Sequence, residues 1–167
     1  MIEYRAARME DLERLLPLCL AYAAERAALS GQRLAANHAE QVRASMESLL
    51  GYPAAFTVVA EEDGQFAGYA TATLQEPPPL FDGEPFVFVG DVYVEPRRRR
   101  QGIGTALVER LRGWAFLRGV GRLSAVIPAR SEAARRLGAR LGFAVVEELV
   151  YWQEQATEGA GGGTAAG

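Results

Sequence analysis

A chain of 167 residues, 49% hydrophobic and 23% charged, suits one packed core and is too apolar for a disordered segment. A net charge of −3 and a pI near 5.3 argue against a dedicated polyanion binder, which would be basic overall. One cysteine and one histidine leave no internal disulfide and no metal-ligand cluster.

In chain order, Ile2 to Ala7 reads as a short strand. "MEDLERLLPLCLAYAAERAA" follows, with Leu12, Leu15, Leu16, Cys19 and Leu20 at helical spacing and Pro17 inside the pattern, where a bend is expected. Cys19 lies on that apolar face and reads as a buried structural thiol rather than a nucleophile. "ALSGQRLAANH" is a loop containing His38, a surface or cap residue, and "AEQVRASMESLL" is a second helix. "AAFTVVAEEDGQFAGYATATL" has two β-rich runs around Asp63-Gly64, a hairpin signal. The prolines of "QEPPPLFDGEP" make a loop, and "FVFVGDVYV", Phe86 to Val94, is the strongest strand pattern.

"GIGTALVERLRGWAFLR" places Ile103, Leu107, Leu111 and Trp114 on one helical face. "GRLSAVIP" reads as a strand, "SEAARRLGARL" as a helix capped by Ser131, and "GFAVVEELVYWQEQ" as a last strand. Residues 1–155 are expected to form one domain, with 156–167 a disordered glycine-rich tail. The N-terminus lacks the apolar core of a signal peptide and no run approaches the ~20 apolar residues that span a bilayer, so the expectation is a cytoplasmic protein without a membrane partner.

The chemistry concentrates at "EPRRRRQGIGT", Glu95 to Thr105. A strand ends at Val94, Pro96 interrupts it, and a helix begins near Gly102. The N–H groups from Arg100 to Thr105 would then leave a helix N-terminus without intrahelical partners, which is an anion site. Glycines at 102 and 104 would let a diphosphate approach the backbone. The dinucleotide fingerprint fails because Leu107 stands where its third glycine should, and a P-loop fails because the chain has no lysine. A solvated arginine turn before an ordinary helix, or a nucleic-acid contact through Arg97 to Arg100, explains the same residues.

The stretch "VYVEPRRRRQGIGTALV" resembles the acetyl-CoA-binding motif of the GNAT superfamily of N-acyltransferases, with Val94, Pro96, Arg99, Gly102 and Gly104 at the expected offsets. "SEAARRLGARLGF" partly matches the second motif of that family through Ala134, Leu137, Gly142 and Phe143. Ser131 stands where an asparagine is usual, and Gly138 where many members carry the tyrosine that protonates the leaving thiolate. The resemblance implies an α/β fold of α+β type, the GNAT fold, with a mixed central sheet of six to seven strands flanked by about four helices. It implies acetyl-CoA as co-substrate and no metal. Arg99, Arg100, Gln101, Gly102, Ile103, Gly104 and Thr105 would hold the CoA diphosphate, with Ser131 contributing from the fourth helix. The backbone of Val92, Tyr93 and Val94 would align the pantetheine, and an N–H near Val94 would polarise the thioester carbonyl. Arg135, Arg136 and Arg140 either meet the 3′-phosphate or form a charged helix face.

The acceptor amine must lose its charge before it attacks. Asp91, interrupting an apolar strand, is the candidate base, directly or through water; alternatively it belongs to a strand distortion with Gly90. Tyr93 is the candidate replacement acid or a core residue. Glu147 and Glu148 either attract a cationic acceptor or form a solvated edge. The expected activity is acetyl transfer to a primary amine on a small or amino-acid-like molecule by direct attack, without nucleic acid and with a homodimer possible by analogy. The rivals are an acyl-CoA-binding module without turnover and a protein acetyltransferase.

Overall fold

The computed structural model describes residues 1–80 and 82–147. Among the described residues five strands form one sheet in the order β1-β2-β3-β4-β5: β1 (Glu3–Ala6), β2 (Ala55–Glu62), β3 (Gln65–Gln75), β4 (Phe86–Val94) and β5 (Leu123–Ala125). The first three pairings are antiparallel and β4 pairs β5 in parallel. Asp63 and Gly64 both take positive φ, 51° and 75°, the conformation a two-residue hairpin needs to match strand twist. The expected last strand begins in residues 142–147, which carry no strand pairing, and continues beyond the described residues. Glu148 and the tail 156–167 also lie outside them.

Helices α1 (Leu12–Ser30) and α2 (His38–Gly51) cover one face of the sheet, and α3 (Ile103–Leu117) covers the other. A short fourth helix, α4 (Glu132–Arg140), follows β5. The α3 face seats Ile103, Leu107, Leu111 and Trp114 on Val58, Ala70, Val87 and Val89. The opposite core joins Leu12, Leu15, Leu18 and Cys19 to Val59, Phe66, Tyr69 and Tyr93. Pro17 does not end α1, which runs unbroken through it, and Leu18 is buried where Leu16 and Leu20 are only half-buried. No helix among the described residues is long and apolar enough to cross a membrane.

A charge network ties the start of the chain to the hairpin. Arg5 donates to both carboxylate oxygens of Asp11 at 2.7 and 2.8 Å and to Glu61 at 2.8 Å, and Arg14 reaches Asp11 and Glu61. Asp11 is 2% exposed, and the Arg5 hydrogen bonds hold its carboxyl at a pKa of about 2. The pKa is depressed on folding, so the stability it confers is complete above the ordinary carboxylate range and is lost as pH falls through about 2. Asp11→Ala should cost about 3 kcal/mol because Arg5 loses its buried partner, lowering Tm by roughly 6–12 °C at neutral pH. Thermal denaturation at pH 7 and pH 2 checks this: the gap between wild type and variant should narrow in acid.

Candidate active site

The site begins with an irregularity in β4. Ala70 faces Val92 and Ala72 faces Val89, so Thr71 stands opposite both Gly90 and Asp91, a β-bulge. The Thr71 hydroxyl accepts the Asp91 N–H at 2.9 Å and fastens the bulge. Gly90 has no alternative there, because a Cβ would lie 2.8 Å from Thr71 Oγ1. The extra residue switches the strand's side-chain alternation: Val87 and Val89 pack on the α3 side and so do Val92 and Val94, whereas Tyr93 packs toward α1. Thr71→Val removes the acceptor for a half-buried N–H and should cost about 1–3 kcal/mol, read as a lower urea midpoint at unchanged m-value.

The bulge also redirects the backbone. Glu95 N–H donates to the Ala67 carbonyl at 2.9 Å, so ladder alternation turns Tyr93 toward β3 and the polar groups of Val92 and Val94 away from it. On that outer side β5 has already ended, since its last paired residue, Ala125, lies opposite Val89. The two parallel strands therefore separate, and among the described residues no strand pairs with the outer side of Val92 to Val94, which form an open edge. The Val94 carbonyl accepts Arg99 Nε at 2.9 Å, from the outer side; the N–H groups of Val92 and Val94 remain directed into the opening.

The edge leads directly to the start of α3. Gly102, at φ 81°, is the cap of α3, and its carbonyl accepts the first helical bond from Ala106 N–H at 3.0 Å. The N–H groups of Gly102, Ile103, Gly104 and Thr105 thus have no partner within the helix. Arg100 also adopts positive φ, 67°, a costly conformation for a non-glycine residue that holds the preceding turn open. A Cβ on Gly102 would meet nothing within 4 Å, so this glycine serves the backbone twist and leaves the approach clear. Gly104 has a second role: a Cβ there would sit 3.4 Å from Leu137 Cδ2, where α4 packs over the start of α3.

The arginines divide. Arg99 turns toward α1, pairing Glu25 at 2.5 Å and resting over the Tyr93 ring at 5.7 Å. Its guanidinium thereby fastens the loop to the acceptor side instead of standing free beside Gly102. Arg98 pairs Glu62 at 2.6 Å, where the sequence leaves it facing water. Gln101 donates to the Arg97 carbonyl at 3.4 Å. On α4, Ser131 Oγ accepts the Ala134 N–H at 3.4 Å as the helix cap. Arg136 pairs Glu132, and Arg140 reaches the Thr105 hydroxyl at 3.4 Å. Gly138 is buried, and a Cβ there would lie 3.2 Å from Ile127 Cδ1, so a larger residue would need that side chain to shift.

On the other face of β4, Asp91 enters a cavity of about 270 Å³ between α1 and α2. Tyr69 donates its hydroxyl to Asp91 Oδ2 at 3.0 Å. Burial pushes the Asp91 carboxyl above the usual range, with the Tyr69 hydrogen bond and Arg26 acting the other way. Gly90–Asp91 is therefore both the strand distortion and the source of a carboxylate in the cleft. Tyr93 is 5% exposed, edge-on to Tyr22 at 6.4 Å and near Tyr69 at 6.3 Å, with its pKa raised by burial.

Cys19 is a buried thiol, as its apolar spacing indicates, and it lines this cavity beside Asp91. Burial pushes it up to about 11, so it stays protonated at neutral pH and is a poor nucleophile. Four contributors are invisible in the sequence: Thr71, Tyr69, Tyr22 and Arg26. Only the Gly90-Asp91 interruption hinted at the bulge that organises them.

A family model described as Acetyltransferase (GNAT) family matches residues 19–143. An aminoglycoside N(6′)-acetyltransferase type 1 from Serratia marcescens is 29% identical over 117 residues, 69% of this chain and 80% of that protein. Among solved structures, a predicted acetyltransferase from Clostridium acetobutylicum with acetyl-CoA superposes with a TM-score of 0.77 at 21% identity, covering 92% of this chain and 96% of that one. An aminoglycoside N-acetyltransferase in complex with CoA gives 0.73 at 19% identity, covering 93% and 96%. At these identities the two structural likenesses establish the fold.

Proposed function

The chain belongs to the GNAT acetyltransferase family, and from that premise we propose that it transfers acetyl from acetyl-CoA to a primary amine on a small molecule, by direct attack. The observation that carries the reading is a half-buried carboxylate, Asp91, one residue before an open strand edge that runs into a helix start with uncommitted N–H groups. The relatives named above, an aminoglycoside acetyltransferase by sequence and acetyl-CoA or CoA complexes by structure, support this class of reaction.

Acetyl-CoA supplies the acetyl group as an activated thioester. The N–H groups of Gly102 to Thr105, with Arg100, would hold its diphosphate. The edge from Val92 to Val94 would pair with the pantetheine arm as an added strand. An N–H from Val92 or Val94 would stabilise negative charge developing on the thioester oxygen, worth about 3 kcal/mol of barrier. Asp91 would orient the amine and accept its proton, directly or through water; a raised pKa brings the carboxylate nearer to neutrality, where a general base is most effective. We assign Tyr93, kept protonated by burial, as the proton source for the departing thiolate, since glycine stands at position 138 in place of the usual tyrosine. The reducing compartment suited to one free cysteine, and the use of acetyl-CoA, support a cytoplasmic location.

The test is thiol release from acetyl-CoA across a panel of amines, with the acetylated product identified by mass. Turnover of any small primary amine supports the reading. CoA binding without thiol release from any amine would leave a CoA-binding module instead. Tyr93→Phe should lower kcat by ~10-fold or more while leaving CoA affinity unchanged, as measured by titration calorimetry.

A further inference from the structure

The cavity that receives Asp91 has two charged groups on its wall among the described residues, and they are of opposite sign: Asp91 from β4 and Arg26 from α1. Among the described residues the rest of the wall is neutral, its other polar side chains being Tyr22, Gln41 and Ser45, besides the Cys19 thiol. Arg26 is held in place by donating to the Tyr22 hydroxyl at 3.2 Å. Its neighbour on α1, Glu25, is turned away to Arg99, so it does not neutralise Arg26. Arg26 makes no ion pair within 4.0 Å among the described residues, Asp91 included, although it is near enough to draw the Asp91 pKa downward. A partly buried guanidinium that faces a carboxylate across an open space, without closing on it, is arranged for an intervening group of complementary charge at each end.

We propose that the acceptor is a small zwitterion, its amine directed to Asp91 and a carboxylate to Arg26. This substrate class rests on the acyl-transfer function proposed above. A polycationic acceptor such as an aminoglycoside would place a second ammonium against Arg26, a like-charge contact in a cleft of low dielectric. The cavity's volume of about 270 Å³ has room for an amino-acid-sized molecule. Arg26 offers the planar fork that binds a carboxylate through two parallel hydrogen bonds.

The experiment compares kcat/KM, by thiol release from acetyl-CoA, for amino acids, their carboxamides, their decarboxylated amines and an aminoglycoside. The wild-type chain should favour a carboxylate-bearing acceptor over its carboxamide by ~10–100-fold, the weight of a charge-assisted pair. Arg26→Gln should bring that ratio toward one, chiefly through KM, and Arg26→Glu should place the decarboxylated amine ahead. The ratio is read within each variant, so partial loss of folded protein does not alter it. Equal or better use of carboxamides or the aminoglycoside by the wild type overturns the zwitterion while leaving acetyl transfer intact. An unchanged ratio in both variants overturns the role of Arg26. Thiol release from no amine, with CoA still bound, overturns the acetyltransferase reading and the zwitterion with it.

Discussion

Gly102→Glu is expected to lose CoA affinity by ~100-fold or more while the chain still folds. Two separate effects act at that position. Gly102 sits at φ 81°, where any side chain adds roughly 1–2 kcal/mol of backbone strain. The space around its Cβ is open, so the strain is the main folding cost and Tm should fall by only a few degrees. The glutamate would also set a negative charge beside the four uncommitted N–H groups that are available to a diphosphate. It competes for those donors and repels the ligand. Gly102→Ala carries the strain without the charge and should lose far less affinity. Calorimetric titration with CoA separates the three proteins. Wild-type affinity in a folded Gly102→Glu variant would move the diphosphate away from the start of α3.

Asp91→Asn should lower kcat/KM by ~10²–10³-fold, the scale of a positioned general base. The amide keeps the shape and the Tyr69 hydrogen bond but cannot accept a proton. The acidic limb of the wild-type pH–rate profile should therefore vanish, leaving the ionisation of the amine itself. Tyr69→Phe removes a hydrogen bond that favours the carboxylate, so its acidic limb should move to higher pH. Stability should change in the opposite sense to activity. Burial holds the folded pKa of Asp91 above its unfolded value, so the native state binds the proton more tightly. Stability then falls as pH rises from the ordinary carboxylate range through the raised value. Asparagine removes that loss, and Asp91→Asn should melt higher than wild type at pH 7. An unaltered profile together with unaltered kcat would return Asp91 to a purely structural place in the bulge.

Much of this site was readable without coordinates. The turn at Asp63-Gly64, the strand ending at Val94 and the helix starting at Gly102 depend on residues close in the chain, and each follows from backbone conformation and apolar spacing. The roles of Arg98 and Arg99 did not follow. Their partners, Glu62 and Glu25, come from the hairpin and from α1, so four identical side chains in a row gave no sign of which were committed. Gly138 was readable only as a missing tyrosine; its burial close to Ile127 depends on how α4 packs. Cys19 was placed correctly in the core, but its position beside Asp91 was not legible, because helical spacing gives the buried face but not what lies opposite it.

The amino-acid sequence by itself determined the family motif, the glycine-shaped start of α3 and the interruption at Gly90-Asp91, since those are properties of single elements and their ends. Only the tertiary structure decided that β4 and β5 separate after Val89, that the bulge turns Val92 and Val94 toward that opening, and that Asp91 meets Tyr69 and Arg26 in one cavity. Those facts depend on register between strands and on how α1 and α2 lie across the sheet. Long-range packing sets both, and no local pattern records them.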